Sequence, residues 1–115
     1  MWSKEKIQDW YDDHKWLVGC NYLPSSAINQ LEMFQEDSFD ADTNKREVGW
    51  ARDVGFNSLR IYLHDLLWQD KESFKKRLNE ILSLCSDHNI KPILVLFDDC
   101  HRPFPKLGKQ PLPVR

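Results

Sequence analysis

The chain has 115 residues, of which 41% are hydrophobic and 30% are charged, and its formal net charge is −2. This length and composition predict one globular domain and exclude a disordered chain. The slightly acidic balance argues against a nucleic-acid partner, which would need a basic surface.

The cysteine spacing and the N-terminus bear on the compartment. Cys20, Cys85 and Cys100 are widely spaced and odd in number, so neither a disulfide framework nor a zinc pattern is predicted. The first ten residues are charged and lack the apolar run of a secretory signal. No apolar stretch approaches the ~20 residues of a membrane span. We therefore expect a cytoplasmic protein with no membrane partner, or a secreted one if the natural start lies upstream.

The first predicted elements are a helix within residues 1–15, beginning after Ser3, and a strand over residues 16–23 that ends at Pro24. Residues 25–39 form a long connection, and connections of this length tend to be functional. The helix would place three apolar side chains on one face: Ile7, Trp10 and Tyr11.

A second helix is predicted over residues 41–54, with Asp40 as its N-cap and Gly55 as its stop. The side chains expected on its inner face are Val48, Ala51 and Val54. A second strand follows over residues 57–63.

A third helix is predicted over residues 71–88, where Asp70 can cap its start and Asn89 ends it. Residues 65–69 are a connection. The side chains expected to face solvent on this helix are Lys75, Lys76, Arg77 and Asn79. Residues 92–97 are a nearly continuous apolar run, which is typical of a parallel strand covered on both faces.

The order strand, helix, strand, helix, strand predicts an α/β fold with a parallel sheet. Residues 98–115 then form a proline-rich loop. The four glycines are isolated, so no Gly-rich phosphate loop is present, and no cofactor is predicted.

The second strand has an arginine inside an apolar run, Leu59-Arg60-Ile61. Desolvating a guanidinium costs several kcal/mol unless partners or water meet it. The pattern therefore places Arg60 near the mouth of a barrel, pointing at a site. The alternative is a structural ion pair.

Polar residues follow all three strands, and parallel α/β sheets place their sites at the carboxyl ends of strands. Asn21 follows the first strand, His64 the second, and Asp98 and Asp99 the third. Trp68 offers a flat apolar surface. Sugars present C–H faces to aromatic rings and hydroxyl groups to polar side chains, so this combination indicates a small polar ligand and favours a sugar.

Each of these residues also has a purely structural interpretation. His64 could cap the end of a strand, and Asp98 and Asp99 could form a turn. A metal site is a further alternative, although the spacing is not that of a familiar ligand set. The residues of that alternative are Asp98, Asp99, Cys100 and His101.

Three segments, residues 16–25, 55–61 and 94–100, resemble the first three βα units of a clan A (β/α)8 glycoside hydrolase. The resemblance is to the family 5-type group, which includes cellulase-like and xylanase-like glycosyl hydrolases. Its most specific part is the run Gly-Phe-Asn-Ser-Leu-Arg-Ile over residues 55–61. This resemblance implies a TIM barrel, of which the chain carries strands near 16–23, 57–63 and 92–97.

The resemblance also implies residue roles. Arg60 would support the catalytic nucleophile, and His64, Asp98 and Asp99 would line the subsite near the cleaved bond. The clan's acid/base and nucleophile glutamates follow its fourth and seventh strands, and no residue of this chain matches them. Retaining hydrolysis needs two carboxyl groups ~5 Å apart. Asp98 and Asp99 are neighbours in an extended segment and would diverge.

We therefore expect the N-terminal part of a retaining glycosidase barrel, acting on an oligo- or polysaccharide and inactive alone. Two alternatives remain open. One is a non-catalytic α/β module that binds carbohydrate or a partner. The other is a metal-dependent barrel hydrolase.

Overall fold

A computed structural model describes residues 1–96 and 103–112. Its elements are four α-helices, one 3₁₀ helix and three strands within those residues. In chain order they are α1 (Lys4–Asp13), β1 (Gly19–Asn21), α2 (Gln30–Phe34), α3 (Ala41–Asp53), β2 (Ser58–Tyr62), the 3₁₀ helix (Asp65–Asp70), α4 (Lys71–Asp87) and β3 (Lys91–Val95).

The three strands form one parallel sheet in the order β1-β2-β3. The predicted α/β class and the predicted parallel pairing are confirmed. The register aligns Asn21 of β1 with Arg60 of β2, and Arg60 with Ile93 of β3. Side chains at aligned positions of parallel strands lie on the same face of the sheet. These three side chains therefore share one face.

The first strand is shorter than predicted. The residues before Gly19 are held by hydrogen bonds to one side chain instead of by continuous pairing with β2. The Asn57 amide accepts a hydrogen bond from the Val18 backbone N–H at 2.7 Å and donates one to the Trp16 carbonyl at 2.9 Å. Trp16, Leu17 and Val18 remain exposed. The strand itself covers only Gly19–Asn21.

One face of the sheet is covered by helices. Leu59 and Ile61 of β2 are buried there with Val48 of α3 and with Ile81 and Cys85 of α4, in a single apolar cluster. Burying aliphatic side chains of this kind stabilises by about 1.5–3 kcal/mol each. This cluster is the main contact between the sheet and the two long helices.

The opposite face of the sheet, which we call the open face, carries exposed side chains. Arg60 and Ile93 are both exposed there. The prediction that β3 is covered on both faces is therefore wrong, whereas the prediction that Arg60 points at a site stays a prediction. Residue alternation along β2 is what separates Arg60 from its buried neighbours Leu59 and Ile61.

The short helix α2 lies inside the connection that the sequence assigns to residues 25–39. Asn29 caps it by accepting hydrogen bonds from the backbone N–H groups of Leu31 and Glu32. Its Met33 and Phe34 are buried, and Phe34 packs edge-on against Phe74 of α4, with ring centroids 5.4 Å apart. Tertiary packing thus stabilises a helix too short to be stable by itself.

Arg77 does not simply face solvent as predicted. Its Nε donates to the Phe34 carbonyl, and its guanidinium also donates to the Ser73 hydroxyl. The side chain is half-buried and satisfies a carbonyl at the end of α2. Arg77 therefore joins α4 to α2.

The predicted boundaries of α3 and α4 agree with the structure to within one residue. Asp40 caps α3 by accepting from the Thr43 N–H at 3.0 Å, and Gly55 has the positive φ (96°) expected of a helix stop. Asn89, with φ 55°, follows α4. Asp70 occupies the N-cap position of α4, but its side chain makes no capping hydrogen bond. The predicted connection after β2 is a 3₁₀ helix.

The helical apolar faces are less buried than the spacing suggests. In α1 no residue is buried, and Trp10 and Tyr11 are exposed, so this predicted helix forms without packing its apolar face. Val54, predicted on the inner face of α3, is exposed as well because the helix has already ended at Asp53.

In the part of the chain that the structure describes, no helix combines the length and apolarity needed to cross a membrane.

Candidate functional site

A cleft of about 350 Å³ lies at the carboxyl ends of β1 and β2. This is the end of a parallel sheet where α/β proteins place their ligands. Residues from β1, β2, α2 and the connection before α2 line it: Asn21, Tyr22, Leu23, Ile28, Asn29, Gln30, Met33 and Tyr62. The mixture of apolar side chains with a few amide and phenol groups suits a small polar ligand.

Two of the sequence-predicted residues meet beside this cleft. The Arg60 Nε–H donates to the Asn21 Oδ1 at 2.7 Å, which joins neighbouring strands on the open face. The guanidinium carbon of Arg60 lies 5.2 Å from the ring centroid of Tyr62, a cation–π distance. Asn21 and Tyr62 both line the cleft. Arg60 thus orients two cleft residues.

Among the described residues, the ion pairs are formed by side chains other than Arg60. The alternative in which Arg60 forms a structural ion pair is therefore not supported there. An exposed guanidinium has several N–H donors in a fixed plane, which can bind ligand hydroxyl or carboxylate oxygens. Arg60 therefore combines a fixed orientation with access to solvent.

A polar network beneath the cleft fixes the chain just after β1. The Tyr22 hydroxyl donates to the Asn44 Oδ1 at 2.7 Å, and both residues are buried. Burial, with a contribution from the carboxylate of Glu47, raises the pKa of Tyr22, so the phenol stays protonated and acts as a donor. In the described part of the chain, the Asn44 Nδ2 has no hydrogen-bond partner.

Glu47 of α3 fixes the next residues of the same connection. Its carboxylate accepts hydrogen bonds from the Ser25 backbone N–H at 3.1 and 3.2 Å and from the Ser25 hydroxyl. Because Ser25 directly follows Leu23 and Pro24, these bonds set the path of one wall of the cleft. The carboxylate is therefore occupied in structural contacts.

His64 lies at the N-cap of the 3₁₀ helix and is only 5% exposed. Its Nδ1 accepts a hydrogen bond from the Leu66 N–H at 3.1 Å, and the same nitrogen lies 2.9 Å from the Asp65 Oδ1. Nδ1 cannot accept from Leu66 and donate to Asp65 together. We favour the capping bond, because Asp65 is exposed and can turn to solvent. The position agrees with the capping alternative, and a ligand-binding role for His64 stays a prediction.

Trp68 lies on the 3₁₀ helix, away from the residues that line the cleft. It packs edge-on against Phe74 with ring centroids 6.5 Å apart, and the Lys75 ammonium lies 5.3 Å from its ring. The indole is exposed. Its use as a sugar platform stays a prediction.

The remaining predicted site residues, Asp98 and Asp99, lie outside the described residues, as do Cys100 and His101 of the alternative metal site. Residues 1–96 and 103–112 contain no group of three or more His, Cys, Asp or Glu side chains placed to hold a metal ion. No carboxylate lines the described cleft.

A larger cleft, of about 660 Å³, lies at the opposite end of the sheet. It is bounded by the end of α1, the end of α4 and the first residues of β3. Its Asn57 amide is already committed to the backbone of Trp16 and Val18. Because sites in parallel α/β sheets lie at carboxyl ends, we take the smaller cleft as the candidate site despite its size.

Sequence reasoning missed several cleft residues, among them Asn29, Gln30 and Tyr62. One signal was present: Asn29-x-x-Glu32 has the spacing of a capping box, which marks a helix start. This spacing would have predicted the start of α2 at Gln30. Nothing local in the sequence indicates that Gln110 bonds to Asn29, 81 positions away.

Comparison with protein-family models, curated proteins and solved structures finds no match to this chain.

Proposed function

We propose that this chain contributes the sugar-binding face of a (β/α)8 glycoside hydrolase and, on its own, binds sugar without cleaving it. The observation that carries the proposal is the Arg60–Asn21 hydrogen bond on the open face, beside the cleft at the strand ends. It gives two neighbouring strands one polar, solvent-accessible surface. A resemblance in sequence, strongest over residues 55–61, supplies the activity class.

The strand order and the position of the helices support the proposal that this chain is part of a (β/α)8 barrel. Consecutive strands are neighbours, and the two long helices share one apolar cluster on one face of the sheet. A barrel has this arrangement, with helices outside and the other face turned inward. Strands added beyond the edges at β1 and β3 would enclose the open face and its exposed Ile93.

The chemistry of the cleft supports binding rather than cleavage by these residues alone. Amide and phenol groups of the lining, with the Arg60 guanidinium beside it, can hold sugar hydroxyls, and Tyr62 adds aromatic surface. Glycoside hydrolysis needs a pair of carboxyl groups across the bond. The described lining has none, so the proposed enzyme would take its acid/base and nucleophile from further barrel strands.

The proposal is tested by calorimetric titration of the purified chain with soluble β-linked gluco- and xylo-oligosaccharides. Arg60→Ala should weaken binding by about tenfold or more, the usual loss for a hydrogen bond to a charged group. Arg46→Ala is the matched control, because that arginine lies over Trp50 on α3 and should leave affinity unchanged. Equal effects of both variants, or no binding by the native chain, would refute the sugar site.

The same preparation is assayed for release of phenol from aryl glycosides. We expect no turnover above the uncatalysed rate. Turnover that disappears in Arg60→Ala would contradict the claim that the chain binds without cleaving. Zinc-dependent turnover would favour the alternative of a metal-dependent hydrolase.

A further inference from the structure

Residues 106–110 reach the start of α2 through Gln110, which is only 3% exposed. Its Oε1 accepts a hydrogen bond from the Asn29 Nδ2 at 3.0 Å. Its Nε2 donates to the carbonyls of Lys106 and Gly108, at 2.9 and 2.8 Å. The amide group therefore closes its own loop and reaches the start of α2 at the same time.

Glu32 adds a second connection between the same two segments. One carboxylate oxygen accepts from the Gln110 backbone N–H at 3.0 Å, and the other accepts from the Ile28 N–H at 2.9 Å. Hydrogen bonds to a charged acceptor are stronger than those to a neutral one. The Glu32 carboxylate is such an acceptor, and it binds one residue in each of the two segments. Glu32 is half-buried, so solvent competes less for its oxygens.

A third connection is reciprocal. The Gln35 Nε2 donates to the Gly108 carbonyl at 3.1 Å, and the Gly108 N–H donates to the Gln35 Oε1 at 2.7 Å. Gly108 has φ 98°, a conformation that side chains rarely adopt. The loop is thus built to present its backbone to α2.

These contacts act on the candidate cleft through Asn29. Asn29 lines the cleft, caps α2 with its Oδ1, and gives its Nδ2 to Gln110. Gln30 and Met33, which follow it on α2, line the same cleft. Movement of the 106–110 segment would therefore move one wall of the cleft.

We propose that Gln110 is a positioning residue that holds the Asn29–Met33 wall of the cleft and so sets its fit to a sugar. It touches α2 rather than the cleft itself. The consequence for sugar binding rests on the proposed function, whereas the consequence for the wall does not.

The test uses the full chain with Gln110→Ala, followed by hydrogen–deuterium exchange. Amides of residues 28–35 should exchange about tenfold faster, since losing these bonds lowers the cost of local opening, while α4 amides keep their native rates. Lys109→Ala, at an exposed neighbouring position, is the control and should change neither region. Unchanged exchange in residues 28–35 would overturn the proposal, and so would equal acceleration in α4.

A second variant covers the case in which Gln110→Ala fails to fold. Asn29→Asp keeps the acceptor that caps α2 but replaces the amide that donates to Gln110 with a carboxylate oxygen, which repels the Gln110 Oε1, so it should accelerate the same amides. Oligosaccharide affinity is measured alongside. A severalfold loss in Gln110→Ala, which changes no cleft-lining side chain, supports positioning for sugar, and unchanged affinity with a loosened wall overturns that consequence. If the native chain binds no sugar, the proposed function fails and exchange alone decides the role of Gln110.

Discussion

The two faces of the three-stranded sheet differ in what covers them, although both have apolar side chains. Ile61 is 0% exposed beneath the helices, whereas Ile93, on the adjacent strand, is 48% exposed on the open face. Polar groups divide in the same way, because Arg60 and Asn21 meet on the open face. One face therefore packs against the helices, and the other exposes Arg60 and Ile93 to solvent.

The largest expected effect is on stability, and it is measured by making the same isoleucine-to-alanine substitution on each face of the sheet. Ile61→Ala should destabilise the chain by about 2–5 kcal/mol, because it removes a fully packed side chain and leaves a cavity. Ile93→Ala should cost less than about 1 kcal/mol, since its side chain already contacts water. Urea unfolding measures both. Equal losses would mean that the open face is covered in solution, by a second copy or by residues beyond those described.

A smaller, chemical effect uses the cysteines. Cys85 is buried in the apolar cluster, and burial raises the pKa of its thiol to about 11. Cys20 is exposed on the edge strand β1. Because the thiolate is the reactive form, iodoacetamide at pH 7.5 should label Cys20 in the native chain and Cys85 only after unfolding. Peptide mass spectrometry reads out both positions.

Rapid native labelling of Cys85 would contradict a closed helical face. A matched Cys20→Ser variant keeps the assignment unambiguous at that position. It should fold as the native chain does, because the Cys20 side chain is exposed.

The contrast also shows how far the sequence determines the fold. Local signals in the sequence were enough to predict the parallel sheet and the ends of α3 and α4. Asp40, Gly55 and Asn89 lie at those ends as expected. Periodicity likewise identified β2. It could not show whether the face carrying Arg60 would be covered, because that depends on elements elsewhere.

The candidate site was predictable only in part, for the same reason. Strand-end reasoning found Asn21, an arginine inside an apolar run indicated Arg60, and the structure brings the two together. It did not find Asn29, Tyr62 or Gln110, because the wall of the cleft depends on contacts between distant segments. The path of the chain after β1, fixed by Ser25 and Glu47, is likewise a tertiary property.

Mapping where a sugar binds tests the proposed site at the carboxyl ends of β1 and β2 most directly. Amide chemical shifts are followed by ¹H–¹⁵N NMR while a β-linked oligosaccharide is added to the chain. We expect shifts concentrated at Asn21, Asn29 and Tyr62, with the Arg60 side-chain Nε–H moving in step. Shifts confined to the larger cleft at the amino ends of the strands, around Lys15 and Lys91, would contradict this expectation.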